Sequence, residues 1–165
     1  MTQNKLISIR FGIQEDMGCL IEWLQQPGVL QWFPLADTRE IEDAARIWIS
    51  NIKFNSVLTA LWDGQACGIA TLYIQPFKKL AHQSLFAIIV DEKFRGKGVG
   101  ARLLTDLEKL AKEQFQIELL HLEVYEGNPA IHLYQRLGFL QYGYQRHFIK
   151  QNDQYLGKIM MQKVL

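Results

Sequence analysis

A chain of 165 residues, 48% of them hydrophobic and 21% charged, has the composition of a soluble globular protein and is long enough to bury a core without metals or disulfides. Its formal net charge is +1 and its basic residues are scattered, so the concentrated positive surface that binds nucleic acid or anionic membrane is not expected. Cys19 and Cys67 lack metal-ligand spacing and read as small core residues, and no group of residues suggests a metal site.

Met1 to Arg10 shows no apolar run with a small-residue cleavage site, and no later stretch offers about 18 unbroken apolar residues. A cytoplasmic protein is expected.

Leu6 to Ile13 alternates at loosely the period of a strand, which predicts the start of a sheet. Asp16 is read as a helix cap, with Met17, Leu20, Ile21 and Leu24 at helical spacing until Pro27-Gly28 interrupts. An aromatic loop, Gly28 to Asp37, leads to a second helix with Thr38 as its cap and a stripe running from Ile41 through Trp48 to Ile52, in which Trp48 reads as core.

The period then changes. Val57 to Trp62 and Ala66 to Ile74 are strand-like around Asp63-Gly64, a hairpin turn signal. After a loop at Pro76 to His82, the run Leu85 to Val90 is almost wholly apolar, as for a strand covered on both faces near the sheet centre. Leu103, Leu104, Leu107, Leu110 and Ala111 form a helical stripe, and Leu119 to Val124 is strand-like again, giving a strand, crossover helix and strand. Asn128-Pro129 opens a shorter helix that Gly138 ends, and Phe139 to Ile149 and Tyr155 to Val164 close the chain as two strands around a turn at Gln151 to Asp153. No repeat or linker divides the sequence, so residues 1–165 are expected to form a single domain of the α+β class.

The chemistry is concentrated in Val90 to Gly100. Gly96, Gly98 and Gly100 crowd the junction between the apolar strand and the following helix, and glycine gives up more backbone entropy on folding than other residues. One explanation is a turn that merely joins strand to helix. The other is a phosphate seat: helix N-terminal N–H groups point outward, the helix dipole favours an anion, and absent side chains allow close approach. Arg95 and Lys97 add positive charge there. On the glycine pattern alone the two readings stand even. The spacing G-x-G-x-G is not the dinucleotide fingerprint, and Gly100-Ala101-Arg102 is not a Walker A ending.

Arg95-x-x-Gly98-x-Gly100, between an apolar strand and an amphipathic helix, resembles the acetyl-CoA motif of the GNAT acetyltransferases. Leu122-Glu123-Val124, then Asn128 and a helix ending Leu137-Gly138-Phe139, resembles that family's second signature, and the order of elements is similar over essentially the whole chain. The resemblance implies a GNAT-like, mainly antiparallel mixed sheet of about seven strands flanked by four helices.

It also implies residue roles. The pantetheine arm of acetyl-CoA would pair with the backbone of Ile88, Ile89 and Val90, near a bulge. The pyrophosphate would be held by Arg95, Gly96, Lys97, Gly98, Val99, Gly100 and Ala101. Tyr134 matches the tyrosine that donates a proton to the departing thiolate; apart from the motif it would read as a core residue. Asn128 matches a cofactor-contacting asparagine, though six residues before Tyr134 where seven is commoner, and it reads equally as a helix cap. Glu123 matches a proton acceptor for the incoming amine, provided strand alternation turns it into the cleft. His82 and His121 are weaker candidates for that task. Trp32-Phe33-Pro34 and Tyr73 to His82 would line the acceptor pocket.

The expected activity is transfer of the acetyl group of acetyl-CoA to the primary amine of a small-molecule acceptor, such as an amino acid, polyamine or antibiotic. A protein N-terminus or lysine is the alternative acceptor, and a non-catalytic CoA-binding module the alternative class. A homodimer is compatible with the resemblance.

Overall fold

The computed structural model describes residues 6–165, so the first five residues of the segment searched for a leader lie outside it. The elements run β1 (Ile7–Phe11), α1 (Asp16–Leu24), α2 (Thr38–Ser50), β2 (Val57–Trp62), β3 (Gln65–Tyr73), β4 (Gln83–Val90), α3 (Val99–Phe115), β5 (Leu119–Tyr125), α4 (Ala130–Arg136), β6 (Leu140–Gln151) and β7 (Gln154–Val164). The class and the element count agree with the expectation from sequence.

The strands form one seven-stranded sheet in the order β1-β2-β3-β4-β5-β7-β6. Every pair is antiparallel except β4 and β5, which α3 connects as a parallel crossover. The apolar run read as central is β4, the fourth strand of the seven. Burial of both its faces explains why it does not alternate.

Two clusters of buried side chains sandwich the sheet. On one face Leu20, Trp23 and Leu24 of α1 and Ile41, Ala45, Trp48 and Ile49 of α2 cover Val57, Ile69 and Ile89. On the other, Leu103, Leu104, Leu107 and Ala111 of α3 cover Ala70, Leu72, Phe86 and Leu122, with Tyr134 and Phe139 at the margin. These are the helical stripes seen in the sequence, facing the sheet as their periodicity requires.

Two cap assignments are corrected. The cap of α2 is Asp37 rather than Thr38: its carboxylate accepts the Glu40 N–H at 2.9 Å, and the Glu40 carboxylate reaches back to the Ala36 N–H. Asp16 does not cap α1 but is its first residue. Its buried carboxylate takes both Arg10 guanidinium nitrogens at 2.8 Å, the Ile13 N–H at 3.0 Å and the Thr59 hydroxyl at 2.7 Å. It therefore clasps β1 and β2 to the start of α1.

Candidate active site

The site follows from a break in pairing. β4 and β5 pair only at Gln83–Leu85 with Leu119–His121, and beyond that they separate. Each keeps its outer partner, β4 lying against β3 through Val90 and β5 against β7 through Tyr125. The inner edges from Phe86 onward and from Leu122 onward are thus left with backbone groups that no strand satisfies. No register shift interrupts the β3–β4 ladder, so the opening arises from splay and not from the bulge expected near Ile88.

A cavity of about 650 Å³ fills the split. Ile88, Ile89 and Val90 line one wall and Glu123 the other, while Arg95, Gly96, Gly98, Val99, Gly100 and Ala101 form one end beside Asn128 and Tyr134. The residues assigned to the cofactor, together with Glu123 and Tyr134, all meet there except Lys97. The Lys97 ammonium instead lies over the rings of Trp62 and Phe94, at 5.5 and 5.4 Å. What Lys97 can bring to the seat is its backbone and a nearby charge.

The glycines serve different purposes. Gly96 and Gly98 have φ of +70° and +85°, in the left-handed region that other residues rarely adopt, and a Cβ on either would meet nothing within 4 Å. Gly98 is the N-cap of α3 and has no side chain to bond the first-turn N–H groups. Those of Val99, Gly100 and Ala101 therefore point outward without a capping partner. Gly100 is needed for packing as well: a Cβ there would lie 3.1 Å from Leu133 of α4. Arg95 curls back, donating from Nε to the Val90 carbonyl at 3.0 Å, and lines the cavity. A cradle of uncapped amides beside a guanidinium fits a diphosphate, and an unpaired strand edge fits an amide-bearing arm.

Asn128 stands one place before Pro129, the N-cap of α4, so the cap read at Asn128 is corrected by one residue; its Oδ1 still accepts the Ala130 N–H at 2.9 Å, which leaves the side-chain NH₂ for the cavity. Tyr134 is buried edge-on to Phe86 and Phe139, both at 6.2 Å. Burial pushes its hydroxyl up to about 12, so near neutral pH it is a protonated donor.

Glu123 reaches the cavity and also pairs with Lys158 of β7, Oε1 to Nζ at 3.1 Å. Sequence reasoning missed Lys158. Only the β5–β7 register brings it near, and nothing in its own neighbourhood marks it.

Trp32 and Phe33 line the cavity as expected, but Pro34 and Tyr73 to His82 do not. The His82 carbonyl accepts the N–H groups of Glu118 and Leu119, a structural use of its backbone. His121 lies outside the cavity lining, and burial lowers its pKa against a smaller raising effect from Glu123.

The model for the Acetyltransferase (GNAT) family matches residues 19–139, and the chain belongs to that family. It is an acetyl-CoA-dependent acyltransferase. The chain is 27% identical over 108 residues to the L-amino acid N-acetyltransferase AaaT of Escherichia coli, the match covering 65% of this chain and 67% of that one. Among solved structures, the ribosomal-protein-alanine N-acetyltransferase of Brucella melitensis superposes with a TM-score of 0.79 at 25% identity, covering 96% of this chain and 99% of that one. The yncA acetyltransferase of Salmonella typhimurium, solved with acetyl-CoA, gives 0.82 at 20% identity over 98% and 95% of the two chains, a likeness of fold. Among the described residues, no helix is long and apolar enough to cross a membrane.

Proposed function

We propose that the protein acetylates the primary amine of a small molecule by direct attack of that amine on acetyl-CoA. The observation that carries the reading is the split between β4 and β5, which sets the uncapped amides of α3, the carboxylate of Glu123 and the hydroxyl of Tyr134 around one cavity.

In this reading the backbone of Ile88, Ile89 and Val90 holds the pantetheine arm. The amides of Gly98, Val99, Gly100 and Ala101, with Arg95, hold the pyrophosphate. The Asn128 NH₂ is a further donor to the cofactor. Acetyl-CoA supplies an activated thioester whose carbonyl carbon takes the amine lone pair as its bond to sulfur breaks. An ammonium first releases one proton to solvent; as the neutral amine attacks, Glu123 accepts the second and Tyr134 gives one to the departing sulfur, and the Glu123 proton then passes through solvent to restore Tyr134, so protons and charge balance. Trp32 and Phe33 form the apolar wall on the acceptor side.

The test combines calorimetric titration with acetyl-CoA and a thiol-release assay over amino acids, polyamines, aminoglycosides and a peptide with a free N-terminus. Saturable binding with release driven by a small amine is expected. Binding without release from any amine would leave only a CoA-binding module, and release confined to the peptide would move the acceptor to protein.

A further inference from the structure

One face of β5 carries His121, Glu123 and Tyr125 at alternate positions, and β7 sets Lys158 directly across from Tyr125. All four side chains therefore leave the sheet on the same face. That face is the one Ala87 and Ile89 share with α1 and α2, on the side from which Trp32 and Phe33 close the cavity.

Lys158 is an unusual cation. Its side chain is only 9% exposed, against 44% for Glu123. Besides the Glu123 carboxylate it meets the face of Phe148, with Nζ 4.0 Å from the ring centre. An ammonium carries three donors, and the Glu123 oxygen at 3.1 Å meets this one as an ion pair, without the geometry of a hydrogen bond. Tyr125 beside it is buried against Phe148, and its hydroxyl has no hydrogen-bond partner. Among the described residues only His121 Nε2, on the same face, shares that condition. An unmet polar atom in the interior is destabilising, and the Tyr125 hydroxyl beside the Lys158 ammonium points to a missing anionic partner there, whereas His121, opposite Gln162, stands four register steps away.

We infer that the acceptor carries a carboxylate next to its reactive amine, as an α-amino acid does, and that Lys158 with Tyr125 takes the carboxylate while Glu123 takes the ammonium. The inference rests on the acetyl-transfer reading and names the acceptor class for that site. A zwitterion matches the Glu123–Lys158 pair charge for charge, each end facing its opposite. A polyamine would bring a second cation toward Lys158, and a peptide N-terminus has an amide where the carboxylate should be. Binding also has a chemical consequence: with Lys158 engaged by the substrate carboxylate, Glu123 is freed toward the amine whose proton it must accept.

The experiment uses the full chain and matched acceptors: leucine, phenylalanine, methionine and glutamate, each beside its α-carboxamide and its decarboxylated amine. Thiol release should favour at least one amino acid over its amide by about tenfold or more in kcat/KM, the scale of one charge-assisted hydrogen bond. Lys158→Met should erase that preference mainly through KM, with acetyl-CoA affinity and thermal midpoint retained, and Lys158→Arg should restore part of it. Tyr125→Phe, which removes one hydroxyl and keeps the ring, should reduce the preference even if Lys158→Met fails to fold. Equal turnover of acids and amides, or a preference untouched in the folded variants, would overturn the carboxylate assignment and leave acetyl transfer standing. Release from no amine of either kind would overturn both.

Discussion

Gln26 and Asp91, 65 positions apart in the chain, hold the two loops of the site together. The Gln26 amide donates to Asp91 Oδ1 at 2.8 Å, and its own carbonyl oxygen accepts the Glu92 N–H at 3.2 Å. Gln26 follows α1 and precedes the loop carrying Trp32 and Phe33. Asp91 ends β4 and begins the turn to the glycines, where its carboxylate also accepts the Lys93 N–H at 3.2 Å.

Gln26→Ala should therefore lower stability by about 1–2 kcal/mol, since it leaves the buried Asp91 carboxylate short of a donor. It should also raise KM for acetyl-CoA and for the amine together, several-fold each, because one side chain fixes both walls. Thermal unfolding and two-substrate kinetics check this. A change confined to one substrate would mean that the loops are held independently.

Gly98 separates backbone strain from charge. With φ at +85° and open space where a Cβ would stand, Gly98→Ala should destabilise by about 1 kcal/mol and weaken acetyl-CoA binding only modestly. Aspartate tolerates the left-handed region better and can cap α3, so Gly98→Asp should be the more stable of the two. Its negative charge at the proposed seat of the pyrophosphate should nonetheless weaken binding by about tenfold more than alanine does. Calorimetry beside thermal melts reads both quantities, and equal affinities in the two variants would remove the pyrophosphate from this turn.

Local signals in the sequence were reliable where the physics is local. Asp63-Gly64 adopts the two positive φ angles, 48° and 84°, that a tight hairpin needs, and Gly138 closes α4 at φ +90°. The amides of the glycine turn were equally legible, because a strand, a glycine cluster and a helix suffice to place them. Asp16 was not: a cap-like aspartate before a helix looks the same whether or not Arg10 and Thr59 converge on it, and Thr59 is 43 residues away. Lys97 shows the same limit in reverse, since charge was counted but the rings of Trp62 and Phe94 decide where the ammonium rests. Glu123 needed the strand's facing, and its pairing with Lys158 needed the β5–β7 register. Neither can be read without the third dimension.

The clasp on Asp16 should appear in the acid limb of stability. Burial alone would raise its pKa, but hydrogen bonds from Arg10, Ile13 and Thr59 outweigh that and lower it below the usual aspartate value. A carboxylate with a depressed folded-state pKa adds stability above its unfolded value and loses it as pH falls through the folded one. Asp16→Asn should thus be less stable by about 1.5–3 kcal/mol at neutral pH, with the gap to wild type narrowing below about pH 4. Denaturant unfolding at a series of pH values measures it. A gap independent of pH would assign the loss to packing.

Tyr134→Phe tests the acid role against the packing role. The hydroxyl is pushed up to about 12 by burial while an unfolded tyrosine ionises near 10, so the native state holds this proton more tightly. Stability linked to this group is complete below pH 10 and is lost as pH rises toward 12 and beyond, a loss the phenylalanine variant should be spared. At neutral pH the variant should fold as well as wild type, because the ring contacts with Phe86 and Phe139 survive. Acetyl-CoA affinity should also hold. If the hydroxyl protonates the leaving thiolate, kcat should fall by about tenfold to a hundredfold, at the lower end of acid catalysis because a thiol with a pKa of about 8.5 is already a fair leaving group. The deficit should shrink with an acetyl thioester of a more acidic thiol, whose departure needs less help. A normal kcat, or a deficit unchanged with the better leaving group, would leave Tyr134 with its packing alone.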